Sequence, residues 1–436
     1  MSESTIKFSL KQTALIGLAF FTTSIAWSMF NTQVNITLFQ YLGSYALVGA
    51  WMAMDNIIGV ILQPIMGTFS DNTRTKLGRR MPYLLIGIPL SAIFFIMIST
   101  INPANDPLWL LLLWMFFFNV SMASYRSQAV ALMPDFVQPV NRSKGNAVIN
   151  FMGGIGALVA YVFNKFLVPI SLFLAFVAVA IIMVLALVVL LVTIKEKESF
   201  SYQLILEVEG REGEKVGGTK DKPNLIESFK DILSEDDKST LFMLLAIFAW
   251  FVGYQALEAL FTVYGMDVLG LSRGDAGFML LYVALAFLVS ALPAGILGSR
   301  IGRRSTIKIG LILFIAALII GFAIQTETVI TIILIIAGIG WGFININSIV
   351  IVWEMAPTSK KIGTYTGVYY FFSFMAAILG PFMVGSLTDA LGNTYLFLVC
   401  SFFFIAALVF MFLVRRGEAE LTEEEERAKK EAIQEL

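Results

Sequence analysis

Long stretches of apolar residues alternate with short polar connections along most of the chain. A helix needs about 20 mostly apolar residues to cross the hydrocarbon core of a bilayer, because each residue rises about 1.5 Å. Twelve stretches approach or exceed that length, and we number them span 1 to span 12 in chain order: 13–39, 45–69, 82–101, 108–133, 145–166, 169–194, 240–264, 275–298, 306–325, 328–353, 363–386 and 393–414. The pattern therefore predicts an all-α membrane protein with twelve transmembrane helices.

The composition supports a lipid environment. Of the 436 residues, 58% are hydrophobic and 14% are charged, whereas soluble proteins average about 45–50% and about 25%. A water-soluble fold could not cover its surface with so few polar side chains. The amino end, MSESTIKFSLKQ, lacks the charged start, short apolar run and cleavage site of a signal peptide. We therefore expect span 1 to be retained as a helix.

The residues that the chain lacks argue against several kinds of chemistry. It has no histidine, which removes His-ligated metal sites and catalysis by Ser-His or Cys-His pairs. The single cysteine, Cys400, lies in an apolar run and has no partner for an intrachain disulfide. The net charge of −1 gives no reason to expect a nucleic-acid partner. We expect no enzyme, no metal and no cofactor.

The positive charges predict the orientation in the membrane. Connections on one side carry the basic residues Arg74, Lys76, Arg79, Arg80, Arg142, Lys144, Arg300, Arg303, Arg304, Lys360 and Lys361. The opposite connections carry little beyond Lys165 and Arg273. Because positively charged loops stay in the cytoplasm, the basic side and both termini are expected to be cytoplasmic, in a multi-pass protein of the cell membrane.

A hydrophilic segment, 195–238, divides the spans into two sets of six. We therefore predict an amino-terminal six-helix bundle (1–194), a cytoplasmic central loop (195–238), a carboxy-terminal bundle (239–414) and a cytoplasmic tail (415–436). Within the loop, GREGEKVGGTKDK is typical of a flexible linker and NLIESFKDILSEDD of a surface amphipathic helix. The charge spacing of the tail favours a solvated helix over a regulatory element.

The two sets of spans repeat one another. The motif LGRRMPY after span 2 is matched by IGRRSTI after span 8, and the Ala-Trp pair at 26–27 in span 1 by the pair at 249–250 in span 7. Asp135 ends span 4 and Glu354 ends span 10, each seven residues before a basic residue. Three matches in register indicate two pseudo-symmetric bundles with a binding site between them near mid-bilayer.

The run QPIMGTFSDNTRTKLGRRMPY (63–83) resembles the sucrose-transporter branch of the major facilitator superfamily. In that branch the second helix ends in Gln-Pro, followed by Gly, Ser-Asp and a Gly-Arg-Arg-Arg-Pro block. Asp135, the stretch Arg142–Ala147 and AWF (249–251) are similar as well. The resemblance implies the major facilitator fold and proton-coupled uptake of sucrose, maltose or related glycosides. The neighbouring glycoside–pentoside–hexuronide:cation symporters are also similar, and they can use sodium.

The chain departs from these relatives in the fourth span. The sucrose branch has a proton-binding Asp in the middle of this helix, where alignment on Asp135 places Asn119. Since Asn does not titrate, proton coupling by that position is not expected. The melibiose-type symporters have a cation-binding Asp there, whereas this chain has Arg126. Direct sodium coordination at Arg126 is therefore disfavoured too.

Three ionisable residues lie within spans and need a reason to be there, because a charge near the bilayer centre costs about 2.5–3.5 kcal/mol. They are Asp55 in span 2, Arg126 in span 4 and Glu258 in span 7. We predict that they couple transport to a proton or cation, with Glu258 as the preferred proton carrier. The alternatives are a hydrogen bond between helices for Glu258, and pairing with a polar neighbour or exposure to an outer vestibule for Asp55. For Arg126 they are contact with sugar hydroxyls and a fixed ion pair.

Charged residues at the basic helix ends form a second candidate set. The resemblance implies that acids there pair with the Gly-Arg-Arg motifs and latch the inner gate when the carrier opens outward. This predicted gate latch comprises Asp71, Arg79, Arg80, Asp135, Arg142, Arg303, Arg304 and Glu354.

Polar and aromatic residues of spans 1, 4, 7, 10 and 11 are candidates for binding a sugar, whose hydroxyls need hydrogen-bonding partners and whose C–H face stacks on aromatic rings. The predicted set is Trp27, Asn31, Gln33, Asn119, Trp250, Tyr254, Gln255, Asn345, Asn347, Tyr365 and Tyr369. For each member alone, bonding or packing between helices is an equal alternative.

The working hypothesis is a sugar:proton symporter that operates by alternating access as a monomer. It binds a small-molecule substrate and a coupling cation within the lipid bilayer. The alternatives are a sodium-coupled glycoside symporter, an efflux antiporter of the same fold for an amphipathic compound, a passive channel and, from another class, a membrane-embedded enzyme.

Overall fold

The computed structural model describes residues 8–138, 141–212, 232, 237–356 and 362–418, and these form long helices. In chain order the helices are α1 (Leu10–Leu42), α2 (Tyr45–Met52), α3 (Met54–Asp71), α4 (Met81–Ser99), α5 (Leu108–Phe136), α6 (Arg142–Phe166), α7 (Leu172–Thr193), α8 (Phe200–Glu212), α9 (Ser239–Asp267), α10 (Arg273–Ile301), α11 (Arg303–Ala323), α12 (Glu327–Glu354), α13 (Ile362–Leu391) and α14 (Leu396–Leu413).

Twelve of the described segments are long and apolar enough to cross a membrane. Each coincides with one predicted span, and the ends differ by a few residues. Span 2 consists of α2 and α3, which are interrupted at Ala53. The predicted fold class, an all-α protein with twelve transmembrane helices, is therefore confirmed.

The chain divides into two compact units. Unit 1 contains Met1–Tyr41 and Met54–Lys220, and unit 2 contains Leu42–Ala53 and Asp221–Leu436. In unit 1, α5 packs against α3 and α4, and α4 packs against α7. In unit 2, α12 packs against α10 and α11, and α11 packs against α14. Spans 2, 3, 4 and 6 thus have the same neighbours as spans 8, 9, 10 and 12, as the sequence repeat predicts.

Helix α2 belongs to unit 2, although the sequence continues directly from it into α3 of unit 1. It packs closely on α13, because glycine lies at both sides of the contact. A Cβ atom on Gly49 would lie 2.3 Å from the carbonyl oxygen of Pro381, and one on Gly385 would lie 2.6 Å from the backbone of Tyr45. Larger residues at either glycine would therefore force the two helices apart.

The first turn of α2 is held by a carboxylate from α13. The Oδ1 atom of Asp389 accepts from the backbone N–H of Tyr45 at 2.8 Å, and Oδ2 accepts from the N–H of Ala46 at 3.0 Å and from the Ser44 hydroxyl at 2.6 Å. The hydroxyl of Tyr45 donates to Asp267 of α9 at 3.2 Å. Asp389 thus supplies acceptors to N–H groups that a helix start leaves without partners.

The central loop contains a helix, α8, in addition to the twelve spans. The sequence analysis predicted no helix at α8, which follows a short 3₁₀ turn at Glu196–Glu198 and packs against α5. The predicted amphipathic helix NLIESFKDILSEDD lies outside the described residues apart from Ile232 and Asp237. Most of the GREGEKVGGTKDK linker, the basic pair Lys360 and Lys361, and the tail beyond Glu418 also lie outside them.

Candidate functional site

Charged residues gather at the basic end of unit 1, where α4 begins. Arg79 and Arg80 are both buried, and the Nε atom of each donates to Oδ2 of Asp135 at 3.2 Å. Asp71, at the end of α3, forms ion pairs with both arginines, and its Oδ1 lies 2.5 Å from Arg80 Nη2 and 3.8 Å from Arg79 Nη1. The ends of α3 and α5 are thus tied to the start of α4 by charge-assisted hydrogen bonds.

A further carboxylate completes this cluster from outside the predicted set. Glu196 follows α7 and is 1% exposed. Its Oε1 accepts from the backbone N–H of Arg79 at 3.0 Å, both oxygens accept from the N–H of Arg80 at 2.8 Å, and Oε2 accepts from the N–H of Met81 at 2.8 Å. Gly78 has φ of +117°, and a Cβ atom on it would lie 2.3 Å from Glu196 Oε2. The glycine of the motif therefore makes room for this carboxylate.

Unit 2 repeats the arrangement at the start of α11. Arg303 Nη1 donates to Oε1 of Glu354, the last residue of α12, at 2.8 Å. The carboxylate of Glu418, which follows α14, accepts from the backbone N–H of Arg303 at 2.9 Å and of Arg304 at 2.8 Å. Gly302 has φ of +94°, and a Cβ atom on it would lie 2.9 Å from Glu418 Oε1. We call these two groups the unit 1 cluster and the unit 2 cluster.

Glu196 and Glu418 are not among the predicted latch residues. The repeat pointed to acids at the ends of spans 4 and 10, whereas these two follow spans 6 and 12. A signal was available, because each lies a few residues after the last span of its own set, at matching places in the repeat. Of the predicted latch residues, Arg142 is exposed at the start of α6.

Arg126 provides a positive charge within α5, in unit 1. The guanidinium of Arg126, on α5, lies over the ring of Trp27 on α1, with 5.1 Å between Cζ and the ring centroid. The carboxylate of Asp55 is close enough for its charge to act on Arg126. Asp55 is 6% exposed, and its Oδ1 accepts from the side-chain amide of Asn56 at 2.7 Å. The charges of two predicted coupling residues therefore act on one another.

The predicted sugar-binding residues of unit 1 differ in what their polar groups do. Asn31 is half-buried on α1. Gln33 is fully buried and donates from Nε2 to Oδ1 of Asn164 on α6 at 2.7 Å, a bond that joins two helices of the unit. Asn119 is 2% exposed, and neither atom of its amide has a hydrogen-bond partner among the described residues. Such an unpaired buried amide is uncommon in proteins.

Aromatic rings form a surface inside unit 2. Tyr254 of α9 stacks on Trp341 of α12, with 3.7 Å between ring centroids and 5° between ring planes. Phe251 meets the edge of the same Trp341 and of Tyr369 on α13. The hydroxyls of Tyr369 and Ser348 lie 3.0 Å apart. The sequence analysis missed Trp341, because nothing in its position along span 10 distinguishes it from a packing residue.

The remaining predicted residues of unit 2 lie on the same helices. Glu258, one helical turn beyond Tyr254, is half-buried, as is Gln255. Tyr365 is buried, and Trp250 is fully buried with no hydrogen-bond partner for its Nε1 among the described residues. The others are Asn345, which is half-buried, and Asn347, which is buried and donates from Nδ2 to the carbonyl of Ala294 on α10 at 3.1 Å.

Sequence comparison identifies relatives of this chain. A family model described as Major Facilitator Superfamily matches residues 16–288 and again residues 266–435. A curated protein, the fosmidomycin resistance protein of Escherichia coli (strain K12), is 26% identical over 174 residues. That match spans 39% of this chain and 41% of the relative, so the chain aligns with about two fifths of that protein.

Solved structures have the same fold at low sequence identity. A bacterial homologue of the human lysosomal transporter Spinster, in an inward-facing and occupied conformation, gives a TM-score of 0.69 at 16% identity, over 93% of this chain and 96% of the other. A mutant of the nucleoside transporter NupG gives a TM-score of 0.72 at 14% identity, over 93% of this chain and 100% of the other. At these identities the likeness concerns the fold alone.

Proposed function

Because this chain belongs to the major facilitator superfamily and is a transporter of small molecules in a lipid bilayer, we propose that it is a sugar:proton symporter for a glycoside or disaccharide. It works by alternating access, exposing the bound solute to one side of the membrane at a time. The basic side faces the cytoplasm of a cell whose plasma membrane holds the protein as a monomer. It consists of two six-helix bundles (1–194 and 239–414), a central loop (195–238) and a tail (415–436).

The observation that carries this proposal is the combination of groups on α9 and its neighbours. Tyr254 is stacked on Trp341, and Glu258 lies one turn further along the same face of α9, since residues i and i+4 of a helix are neighbours. The paired hydroxyls of Tyr369 and Ser348 lie on the adjoining helices. Aromatic faces, hydroxyls and a titratable carboxylate are the groups that sugar binding with proton coupling requires.

Coupling follows from the cost of charge in a low-dielectric region. With Glu258 ionised, the carboxylate places a negative charge within a membrane span, and reorientation of the loaded carrier is disfavoured. Protonation of Glu258 removes that charge, so the loaded carrier reorients and releases both ligands. Asp55 and Arg126 carry opposite charges in unit 1, and the Asp55 carboxylate can gain and lose a proton in the same way while Arg126 stays positively charged.

The proposal is tested by uptake into proteoliposomes. Purified protein is given labelled maltose and sucrose under an inward proton gradient, an inward sodium gradient or no gradient. We expect accumulation under the proton gradient, and collapse of that accumulation when a protonophore is added. Accumulation driven by sodium alone would replace the proton with sodium as the coupling ion. Absence of any uptake or counterflow of the sugars would overturn the sugar assignment.

An efflux antiporter is the second candidate, and one observation favours it. The matched segment of the Escherichia coli relative belongs to a protein named for resistance to an antibiotic, which is consistent with export. In that case the aromatic surface of Tyr254, Trp341 and Phe251 would bind an amphipathic compound. Cells that overproduce the chain would then tolerate higher concentrations of such compounds, and maltose and sucrose would not exchange in counterflow.

A further inference from the structure

Lys308 is a basic residue inside α11, a membrane-spanning helix of unit 2. It lies five residues beyond Arg303, about 8 Å along the helix axis from the basic end. Its ammonium lies over the ring of Phe412 on α14, with 4.8 Å between Nζ and the ring centroid. A charge in a membrane span is costly unless it reaches the interface or meets an opposite charge. The balance of charge around Lys308 therefore shows what this place in the fold can bind.

The protein itself balances the charge of Lys308 only in part. The ring of Phe412 attracts the ammonium, but Lys308 forms no hydrogen bond or ion pair with any residue that the structure describes. The charges that act on it are those of Arg304 and Glu418. The Glu418 carboxylate is already paired, since its Oε1 lies 3.3 Å from Nε of Arg304.

Together with Lys308, the unit 2 cluster carries an excess positive charge. Its cations are Arg303, Arg304 and Lys308, and its carboxylates are Glu354 and Glu418. Each carboxylate pairs with one arginine. One positive charge is therefore left over, and it lies where the ion pairs leave Lys308 unmatched.

Hydrogen-bond donors for an anion are present beside this charge. Arg304 uses Nε for Glu418 and Nη1 for the carbonyl groups of Val414 and Arg415. Its Nη2 meets no acceptor in the described part of the chain. Arg304 and Lys308 are four residues apart on α11, so their side chains lie on the same face of the helix. An anion with several oxygens can accept from both.

Unit 1 differs at the corresponding positions of the repeat. Lys308 follows the second arginine of its Gly-Arg-Arg motif by four residues, and Leu84 does so in unit 1. Phe412 precedes the carboxylate that caps α11 by six residues, and Leu190 precedes Glu196 by the same number. Leu84 and Leu190 are 0% and 1% exposed, so apolar packing fills this place in unit 1. The excess charge is therefore a feature of unit 2 and not of the repeated cluster.

Exposed apolar side chains continue from Lys308 and Phe412 along both helices, away from the basic end. Ile312 lies one turn beyond Lys308 and is 51% exposed, and Val409 lies one turn before Phe412 and is 55% exposed. Phe412 itself is 62% exposed. In a membrane-spanning segment such side chains contact the acyl chains of lipids. The ligand that fits this place therefore has an anionic head and apolar chains.

We propose that Lys308 and Arg304 bind the phosphodiester of an anionic phospholipid, whose acyl chains lie along α11 and α14. The lipid belongs to the leaflet on the basic side of the protein. A phosphodiester carries one negative charge, which matches the one positive charge in excess. Its oxygens accept from the Lys308 ammonium and from Nη2 of Arg304, and basic groups between membrane helices recognise such head groups. The inference goes beyond the proposed transport function and is independent of the solute carried.

The test compares an anionic and a zwitterionic lipid that have the same acyl chains. Purified protein is freed of lipid in detergent and titrated with phosphatidylglycerol or phosphatidylcholine, and native mass spectrometry measures the fraction that holds one lipid. We expect wild type to bind phosphatidylglycerol about 10- to 100-fold more tightly, since hydrogen bonds to charged groups distinguish ligands by about that factor. Lys308→Gln should bind both lipids with similar affinity, and Lys308→Arg should keep most of the preference.

Lys195→Gln is the matched control. Lys195 follows the last span of unit 1, and its ammonium already pairs with Glu198 at 3.3 Å, so this variant should keep the full preference. Phe412→Leu covers the case in which Lys308→Gln folds poorly, because it replaces an exposed ring and removes no charge. It should weaken the preference by about 2- to 5-fold, the usual contribution of an exposed cation–π contact.

Glycerol phosphate, a head group without acyl chains, distinguishes a lipid from a soluble phosphate compound. At the same concentration it should displace no bound phosphatidylglycerol, because it lacks the chains that contact α11 and α14. Displacement that disappears in Lys308→Gln would replace the lipid with a soluble ligand and overturn the inference. A preference for phosphatidylglycerol that survives in Lys308→Gln, one that is lost in Lys195→Gln, or equal binding of both lipids by wild type would overturn it too.

Discussion

At the scale of single residues, a carboxylate within a membrane span can couple transport to protons, because it is charged without its proton and neutral with it. Glu258 lies half-buried on α9, one turn beyond the stacked pair Tyr254 and Trp341. If Glu258 carries the coupling proton, a substitution that removes its charge should leave substrate binding intact but uncouple transport from the proton gradient. Transport down a gradient would continue, while accumulation against one would stop.

The first prediction concerns Glu258→Gln. Under a gradient of about one pH unit, wild type is expected to accumulate its sugar about tenfold, since one unit is worth about 1.4 kcal/mol. The variant should reach only equal concentrations inside and outside, yet still exchange labelled for unlabelled sugar. Glu327→Gln is the matched control, because Glu327 is exposed at the start of α12. Full accumulation by Glu258→Gln would assign coupling to another residue.

Burial of the Glu196 carboxylate disfavours its ionised form. Burial raises the pKa of Glu196 above its ordinary value, and the N–H groups of Met81, Arg80 and Arg79 oppose that effect only in part. The nearby charge of Asp135 raises the pKa further. Since its pKa is raised, Glu196 binds its proton more tightly in the folded protein than in the unfolded chain.

The second prediction follows from the sign of this shift. The stability that protonation of Glu196 contributes is fully present below the ordinary pKa of Glu, about 4.3, and is lost as pH rises through the raised value. Melting temperatures of wild type should therefore fall relative to those of Glu196→Gln as pH increases. Glu198→Gln, whose side chain is 71% exposed, should show no such trend. A difference between wild type and Glu196→Gln that is constant with pH would contradict the assignment.

At the scale of elements, helix starts in this protein are held by carboxylates from distant parts of the chain. Glu196 supplies acceptors to the start of α4, Glu418 to the start of α11 and Asp389 to the start of α2. Glu196 and Glu418 take the place of a local capping side chain, which the starts of α4 and α11 lack. At α2, Asp389 adds to a local cap, since the Ser44 hydroxyl accepts from the N–H of Leu47 at 3.2 Å. Because each acid comes from another element, its hydrogen bonds also connect that element to the helix whose start they hold.

The third prediction concerns the two caps related by the repeat. Glu196→Ala and Glu418→Ala should each destabilise the protein by about 0.5–2 kcal/mol, the usual cost of losing a cap. Unfolding can be followed with a thiol-reactive dye, since Cys400 is fully buried. Glu198→Ala is the control, because its carboxylate is exposed. A melting temperature unchanged in both cap variants would show that water replaces the carboxylates without loss.

The fourth prediction concerns the packing of α2 on α13. Gly385→Val places atoms against the backbone of Tyr45 and should release α2 from α13. A cysteine introduced at Val48, which is fully buried on α2, should then react with a membrane-impermeant maleimide at least about tenfold faster than in the parent protein, since local opening exposes it. Gly67→Val is the control, because no atom lies within 4 Å of the added Cβ. Equal labelling in both backgrounds would show that α2 stays packed.

Across the molecule, the charges of the connections between helices predict which side of the membrane each connection faces. The basic ends of both units carry Gly-Arg-Arg motifs and buried or half-buried carboxylates. The connection at 100–107 between α4 and α5 contains one charged residue, Asp106, and no basic one. Positive charge near helix ends keeps those ends in the cytoplasm.

The fifth prediction is a topology map. Alkaline phosphatase, which is active only outside the cytoplasm, should be inactive when fused after residue 77 or residue 418 and active when fused after residue 104. A fluorescent protein, which folds in the cytoplasm, should give the reverse pattern. Activity of phosphatase after residue 77 would reverse the proposed orientation of the chain.

The twelve spans and the places of the charged helix ends can be predicted from the order of the amino acids alone. A bilayer demands about 20 apolar residues per crossing and penalises each unneeded charge, and both rules act on one segment at a time. The internal repeat then predicted that Asp135 and Glu354 would lie at corresponding helix ends. The structure places them beside Arg79 and Arg303 respectively.

Which side chains contact one another depends on how the helices pack in three dimensions. Nothing in the amino-acid pattern distinguishes Gln33, which bonds to Asn164 across two helices, from Asn31, or places Trp341 in an aromatic surface. It also could not assign α2 to unit 2, since α2 and α3 form one apolar span. These outcomes depend on the rotation of each helix about its axis and on its neighbours, which are settled only when all the helices pack together.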